Sequence, residues 1–203
     1  MRTGSLAQPP PILQIYRERL KPGCEAAYTA IETETAQLAT ALGCPHPYLG
    51  AELLTGATEA WWFNGFESSA GRQRVADQYA SNGRWMAALT RNSERKARLT
   101  LDPIEALATY RPDLTVGTPW VLGRGRFLVV SVTKTTDAPL GGTVFESADG
   151  ARYIVAAAQT REDADAARMP AGAERFVLAV RPSWSFPPEE WIAADPTFWQ
   201  RSS

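Results

Sequence analysis

The chain has 203 residues, 44% of them hydrophobic and 21% charged, the balance of an ordinary globular protein with enough apolar material for a sizeable core. Net charge is −1, with 12 basic and 11 acidic residues up to Pro112 and 9 and 11 after it, so neither half has the field of a nucleic-acid binder. No apolar run approaches the ~18–20 residues of a membrane span, and MRTGSLAQPPP at the start lacks the apolar region of a secretory signal, so the cytoplasm is the expected compartment.

In chain order, ILQIYRERL (12–20) alternates and is rich in β-branched and aromatic residues, so it reads as a strand that Lys21-Pro22-Gly23 breaks. Residues 24–42 carry Tyr28, Ile31, Thr35, Leu38 and Leu42 at helical spacing, with Gly43 as a natural stop and Pro45 and Pro47 beyond it. Cys24 and Cys44 bracket this helix, which would hold them about 27–30 Å apart, too far for a disulfide.

YLGAELLTG (48–56) and AWWFNGF (60–66) form a predicted hairpin. Ser68 and Ser69 can cap a helix to about Ala80, which Asn82-Gly83 interrupts before it resumes to about Ala97. Arg84, Arg91, Arg95, Lys96 and Arg98 in that second segment read as a solvated face, with an anion or acidic-partner contact as the lesser reading. PIEALATYR (103–111) is a fourth strand. The order β-α-β-β-α-β is the ferredoxin-like pattern of an α+β fold.

Past a Gly/Pro-bearing linker (113–125), RFLVVSVTK (126–134) is the clearest strand, and TDAPLGG (136–142) is too short and broken for a helix. TVFES (143–147) and RYIVAAAQT (152–160) flank an Asp-Gly turn, REDADAAR (161–168) can make two helical turns, and ERFVLAVRP (174–182) is a last strand. This β-β-β-α-β order is the first half's with its first helix missing, which suggests a degenerate duplication. It divides the chain into a ferredoxin-like domain (11–112), the linker, and a second half (126–203). The tail PPEEWIAADPTFW wraps back on the body, where Trp184, Trp191 and Trp199 serve as packing aromatics.

YRERLKPGCEAAY (16–28) and WWFNGFES (61–68), with the element order over residues 11–111, resemble the dimeric α+β barrel superfamily, which includes antibiotic-biosynthesis-monooxygenase-like and NIPSNAP-like proteins. The resemblance implies an antiparallel four-stranded sheet with helices on one face. Its bare face would pair with a second such sheet around a cavity, supplied by a second chain or by a second repeat within this one; a homodimer is favoured, because the second half lacks a helix. Members of the superfamily carry out cofactor-free oxygenation, haem degradation, isomerisation and dechlorination, so the fold alone does not name a reaction. The helix-borne haem-ligating histidine is not carried over, because the only histidine, His46, sits in the CPHP loop. No cofactor is expected. His46 and Cys44 make a poor metal site, and no dinucleotide, Walker, G-x-S-x-G or H-E-x-x-H sequence occurs.

Strand alternation sharpens the cavity. Leu13 and Ile15, Leu49, Ala51 and Leu53, and Trp61 and Phe63 are expected under the helices. The opposite face then carries Gln14, Tyr16, Glu18, Tyr48, Glu52, Trp62 and Asn64 as a candidate pocket, in which Glu18 and Glu52 could act as acid or base. Two readings follow: a small-molecule-binding barrel, such as a cofactor-independent monooxygenase or isomerase, or a non-catalytic protein whose paired sheets serve assembly.

Overall fold

The computed structural model describes residues 7–101, 103–134, 140–168 and 170–200; the first six residues, and 135–139 of the segment read as non-helical, lie outside them. The first half contains β1 (Ile12–Arg19), α1 (Glu25–Leu42), β2 (Leu49–Leu53), β3 (Glu59–Phe66), α2 (Ser69–Ser81), α3 (Gly83–Ala97) and β4 (Ile104–Tyr110). It follows the expected order closely. Gly43 ends α1 in the left-handed conformation at φ 67°, and the Ser68 side chain caps α2 by accepting from the Gly71 amide. Asn82 splits α2 from α3, and its side chain caps the latter by accepting from the Trp85 amide. Cys24 and Cys44 are free.

The second half holds β5 (Thr115–Val116), β6 (Phe127–Thr133), β7 (Leu140–Gly141), β8 (Thr143–Ser147), β9 (Arg152–Ala158), α4 (Arg161–Ala166) and β10 (Glu174–Val180). A 3-10 turn (Pro182–Trp184), α5 (Glu189–Ala194) and α6 (Pro196–Trp199) follow. Short β5 and β7 pair with each other in parallel. None of the described helices is long and apolar enough to cross a membrane.

The other eight strands close into one antiparallel barrel in the order β1-β3-β2-β10-β6-β9-β8-β4. First-half strands stand together as β4-β1-β3-β2, second-half strands as β10-β6-β9-β8, and the seams are β2–β10 and β4–β8. Of the two expected sources of the second sheet, another chain or a second repeat, this chain's own second half pairs with the first.

Closure fixes which strand face is inside, and here the expectation needs correcting. Alternation separated the two sets of side chains properly, but their environments are reversed. Leu13, Ile15, Leu49, Ala51, Trp61 and Phe63 fill the barrel interior together with Leu128, Val130, Phe145, Val155, Phe176 and Leu178. Trp62, with Tyr16 and Tyr48, lies outside, beneath α1 Tyr28 and beside Trp184. The physical reason is that the closed centre of the barrel is packed with side chains from every strand, so it takes the more apolar face of each, with Arg17, Arg19 and Glu59 of that face falling at the barrel's end. The outer face needs only partial cover and tolerates polar groups.

One barrel end is plugged. Segment 113–125 is no exposed linker: Trp120, Val121 and Leu122 are 2, 1 and 7% exposed. Trp120 meets Phe63 edge-on at 5.8 Å, and Trp191 and Trp199 join the same cluster from the tail. Gly123, at φ 84°, is required here, since a Cβ would lie 2.3 Å from the Trp191 ring. Arg126 pins the tail through Asp195 at 2.7 Å.

Candidate functional site

The outer face of β4-β1-β3-β2 is organised in cross-strand rows set by register. One row runs Leu107–Gln14–Asn64 and the next Glu105–Tyr16–Trp62–Gly50. A third runs Glu18–Ala60–Glu52. Gly50 makes the second row possible: a Cβ there would fall 2.7 Å from the Trp62 ring and 2.9 Å from Trp184 Cβ, so only a bare backbone lets the two indoles close over β2. Their ring centroids are 6.1 Å apart, and Tyr48 meets Trp62 edge-on at 6.0 Å.

α1 and α3 cover the inner part of this face and bury an ionic cluster against it. Glu18 from β1 and Glu32 from α1 are 5 and 3% exposed. Lys96 from α3 reaches between them, its Nζ 3.0 Å from Glu18 Oε2 and 2.8 Å from Glu32 Oε1. The Tyr28 hydroxyl donates to Glu18 Oε2, and the ammonium lies 5.7 Å from the Tyr28 ring and 5.9 Å from Trp62.

Burial pushes the Glu32 carboxyl up, against the pull of Lys96. Burial disfavours the Lys96 charge as well, yet Glu32 and Glu18 together hold its affinity for the proton above the ordinary range. Two carboxylates facing one ammonium leave the cluster one negative charge in excess, which Glu32 can shed by binding a proton.

The expected candidates divide. Tyr16, Glu18, Tyr48 and Trp62 come together around this cluster. Gln14 and Asn64 are half-buried one row out, where Gln14 Nε2 donates to Glu105 at 2.6 Å and Glu105 also meets Arg72 from α2. Glu52 is drawn off into a surface ion pair with Arg181.

Tyr28, Glu32, Lys96 and Trp184 were not anticipated as site residues. A glutamate next to Ile31, one turn from Tyr28 on the buried stripe, was the available signal. Lys96 belongs to the basic run read as solvated, and only part of that run is: Arg91 and Arg95 pair with Glu34 at the surface, while Lys96 turns inward.

Tyr16 joins the buried cluster to the accessible row. It is half-buried, and burial first, then the nearby Glu18 charge, push its phenol up, so it stands as a proton donor. The Tyr48 hydroxyl and Trp184 indole N–H are buried without a hydrogen-bond partner. Two concavities lie elsewhere: one of about 280 Å³ at the unplugged barrel end, and a groove of about 560 Å³ between α1 and the C-terminal segment. Among the described residues, no group of three or more His, Cys, Asp or Glu is arranged to hold a metal ion.

No protein-family profile matches the chain, and no curated protein does. Solved structures share its fold. A candidate monooxygenase from Fusobacterium nucleatum superposes with a TM-score of 0.57 at 11% identity, over 85% of this chain and 93% of that one. A second candidate monooxygenase, from Lactobacillus acidophilus, gives 0.54 at 8% identity over 84% and 94%. At these identities the likeness is one of fold.

Proposed function

We propose that the protein is a small-molecule-binding member of the dimeric α+β barrel superfamily in which one chain supplies both halves. On this reading β1–β4 and the set β6, β8, β9 and β10 are degenerate copies of one ferredoxin-like unit. Their strand orders, β4-β1-β3-β2 and β10-β6-β9-β8, support it because they are the same order when each half is numbered from its own first strand.

The ligand site on this reading is the outer face beside α2 and α3. The observation that carries it is the position of Tyr16, a half-buried phenol between the open Gln14/Asn64 row and the buried Glu18–Lys96–Glu32 cluster. Trp62 and Tyr48 are packed beneath the site as its support, Gln14 and Asn64 supply amides for orientation, and Tyr16 supplies a hydrogen-bond donor to oxygen.

The activity we favour is cofactor-independent monooxygenation, the reading closest to the two structural neighbours, with isomerisation sharing its first step. Both begin by moving a proton from a carbon next to a carbonyl or a phenolic C–O to a base, and on this reading the base is the Glu105 carboxylate, directly across from Tyr16 in the same cross-strand row. In the oxygenation the substrate carbanion supplies the electrons: a CH2 and O2 become C=O and H2O. Tyr16 would stabilise the oxyanion formed as the proton leaves.

The test is oxygen uptake with electron-rich aromatic ketones and phenols, comparing the wild type with Tyr16→Phe. We expect one substrate class to be turned over, and the variant to lose about 100-fold in kcat with its fold intact. Turnover unchanged in Y16F, or no ligand held by the wild type, would remove this reading.

A further inference from the structure

The two barrel ends differ in chemistry. Tryptophans and aliphatic side chains close one; at the other, β1 ends while β3 and β4 begin, and two inward-parity arginines stand at the mouth. We propose that this mouth is a second binding site, for a small organic anion: a carboxylate carrying an aliphatic tail.

Arg17 is held rigidly. Its guanidinium lies 4.2 Å from the Trp61 ring centroid and 4.5 Å from that of Phe176, and its Nη2 donates to Glu59 Oε2 at 2.9 Å. Its side chain is 13% exposed and its Nε is buried without a partner. Arg19 meets the same carboxylate through Nε at 3.2 Å and is 53% exposed, which leaves its terminal nitrogens to face an incoming ligand.

Glu59 cannot neutralise both arginines. Its Oε2 accepts from Arg17 and from the Trp61 indole, and its Oε1 from Arg19. Among the described lining residues, one positive charge is left over. A guanidinium with open terminal nitrogens suits a carboxylate, which it can grip through two parallel hydrogen bonds.

The tail follows from the rest of the wall. The cavity, about 280 Å³, is lined by Arg17, Arg19, Glu59, Leu101 and Ile104. Leu101 and Ile104 are 47 and 50% exposed, aliphatic surface that an alkyl chain leaving the guanidinium would cover. A purely inorganic anion would leave that surface wet, and a neutral alkyl chain would leave the charge unmet. The site lies on the inward face of β1, opposite Tyr16, so it stands or falls apart from the proposed activity.

Octanoate is the probe, titrated into the full-length protein by calorimetry and by chemical-shift changes, with octanol and inorganic phosphate as controls for tail alone and charge alone. We expect saturable octanoate binding that weakens as salt is raised. We also expect at least about tenfold weaker binding of octanol, and a similar loss of octanoate affinity in Arg19→Gln. Leu101→Ser provides a second arm: it should weaken octanoate while leaving acetate unchanged. Equal affinity for octanoate and octanol, octanoate binding unaltered in both R19Q and L101S, or no saturable binding would overturn the proposal.

Discussion

His46 illustrates how burial converts a side chain into a pH-dependent stability element. It lies under the outer face, stacked on Phe66 with ring centroids 4.5 Å apart and planes within 5°. Burial lowers its pKa to about 4 from an ordinary 6.5, and a hydrogen bond to the Gly65 backbone only partly opposes the shift. The folded state thus prefers the neutral ring. Its contribution is complete above pH 6.5 and is lost as pH falls toward 4, by about 3 kcal/mol at 1.36 kcal/mol per unit. Glu32 has the opposite sign, because its raised pKa makes its charged form a burden that grows as pH rises above the ordinary carboxylate range. Subtracting one variant from the wild type isolates the histidine. Denaturant melts of His46→Phe should show less loss of stability than the wild type between pH 6.5 and 4, and parallel curves would refute the assignment.

Among the elements, the segment between β4 and β6 departs most from its sequence reading. Glycine and proline density made 113–125 look like a linker, yet its TPWVL centre carries the plug of the barrel. Gly117 and Gly123 provide turns with positive φ on either side of it, so the composition marks bends around a buried insertion. Trp120→Ala should therefore cost about 3–5 kcal/mol, as for other fully packed indoles. A melt shifted by less than about 1 kcal/mol would mean that the plug is dispensable. The tail needed less correction, since Trp184, Trp191 and Trp199 are the packing aromatics expected, at 3, 0 and 5% exposure.

Taken as a whole, the molecule shows what alternation can and cannot say. Trp61 and Trp62 were correctly sent to opposite faces, because that depends only on the two-residue repeat of a strand. Which of them faces the lumen depends on the β2–β10 and β4–β8 seams, pairings between distant residues that leave no local trace in the sequence. The same dependence hid the site's charged half. Glu18 was legible from its strand parity, but Lys96 and Glu32 reach it only because α3 and α1 pack side by side across the sheet. Closure also pairs both edges of each four-stranded set within the one chain.

On the proposed reading the substrate of the Tyr16 site is held on the helix-flanked outer face, and the aromatic centre of the lumen is filled by side chains. A crystallographic fragment screen with small phenols and aromatic ketones addresses it most directly. We expect a fragment seated over Tyr16 and Asn64, its oxygen within hydrogen-bond distance of the Tyr16 hydroxyl, with Trp61 and Phe63 undisturbed inside the barrel. Fragments lodged among the lumen aromatics, with the Tyr16 face empty, would contradict that reading.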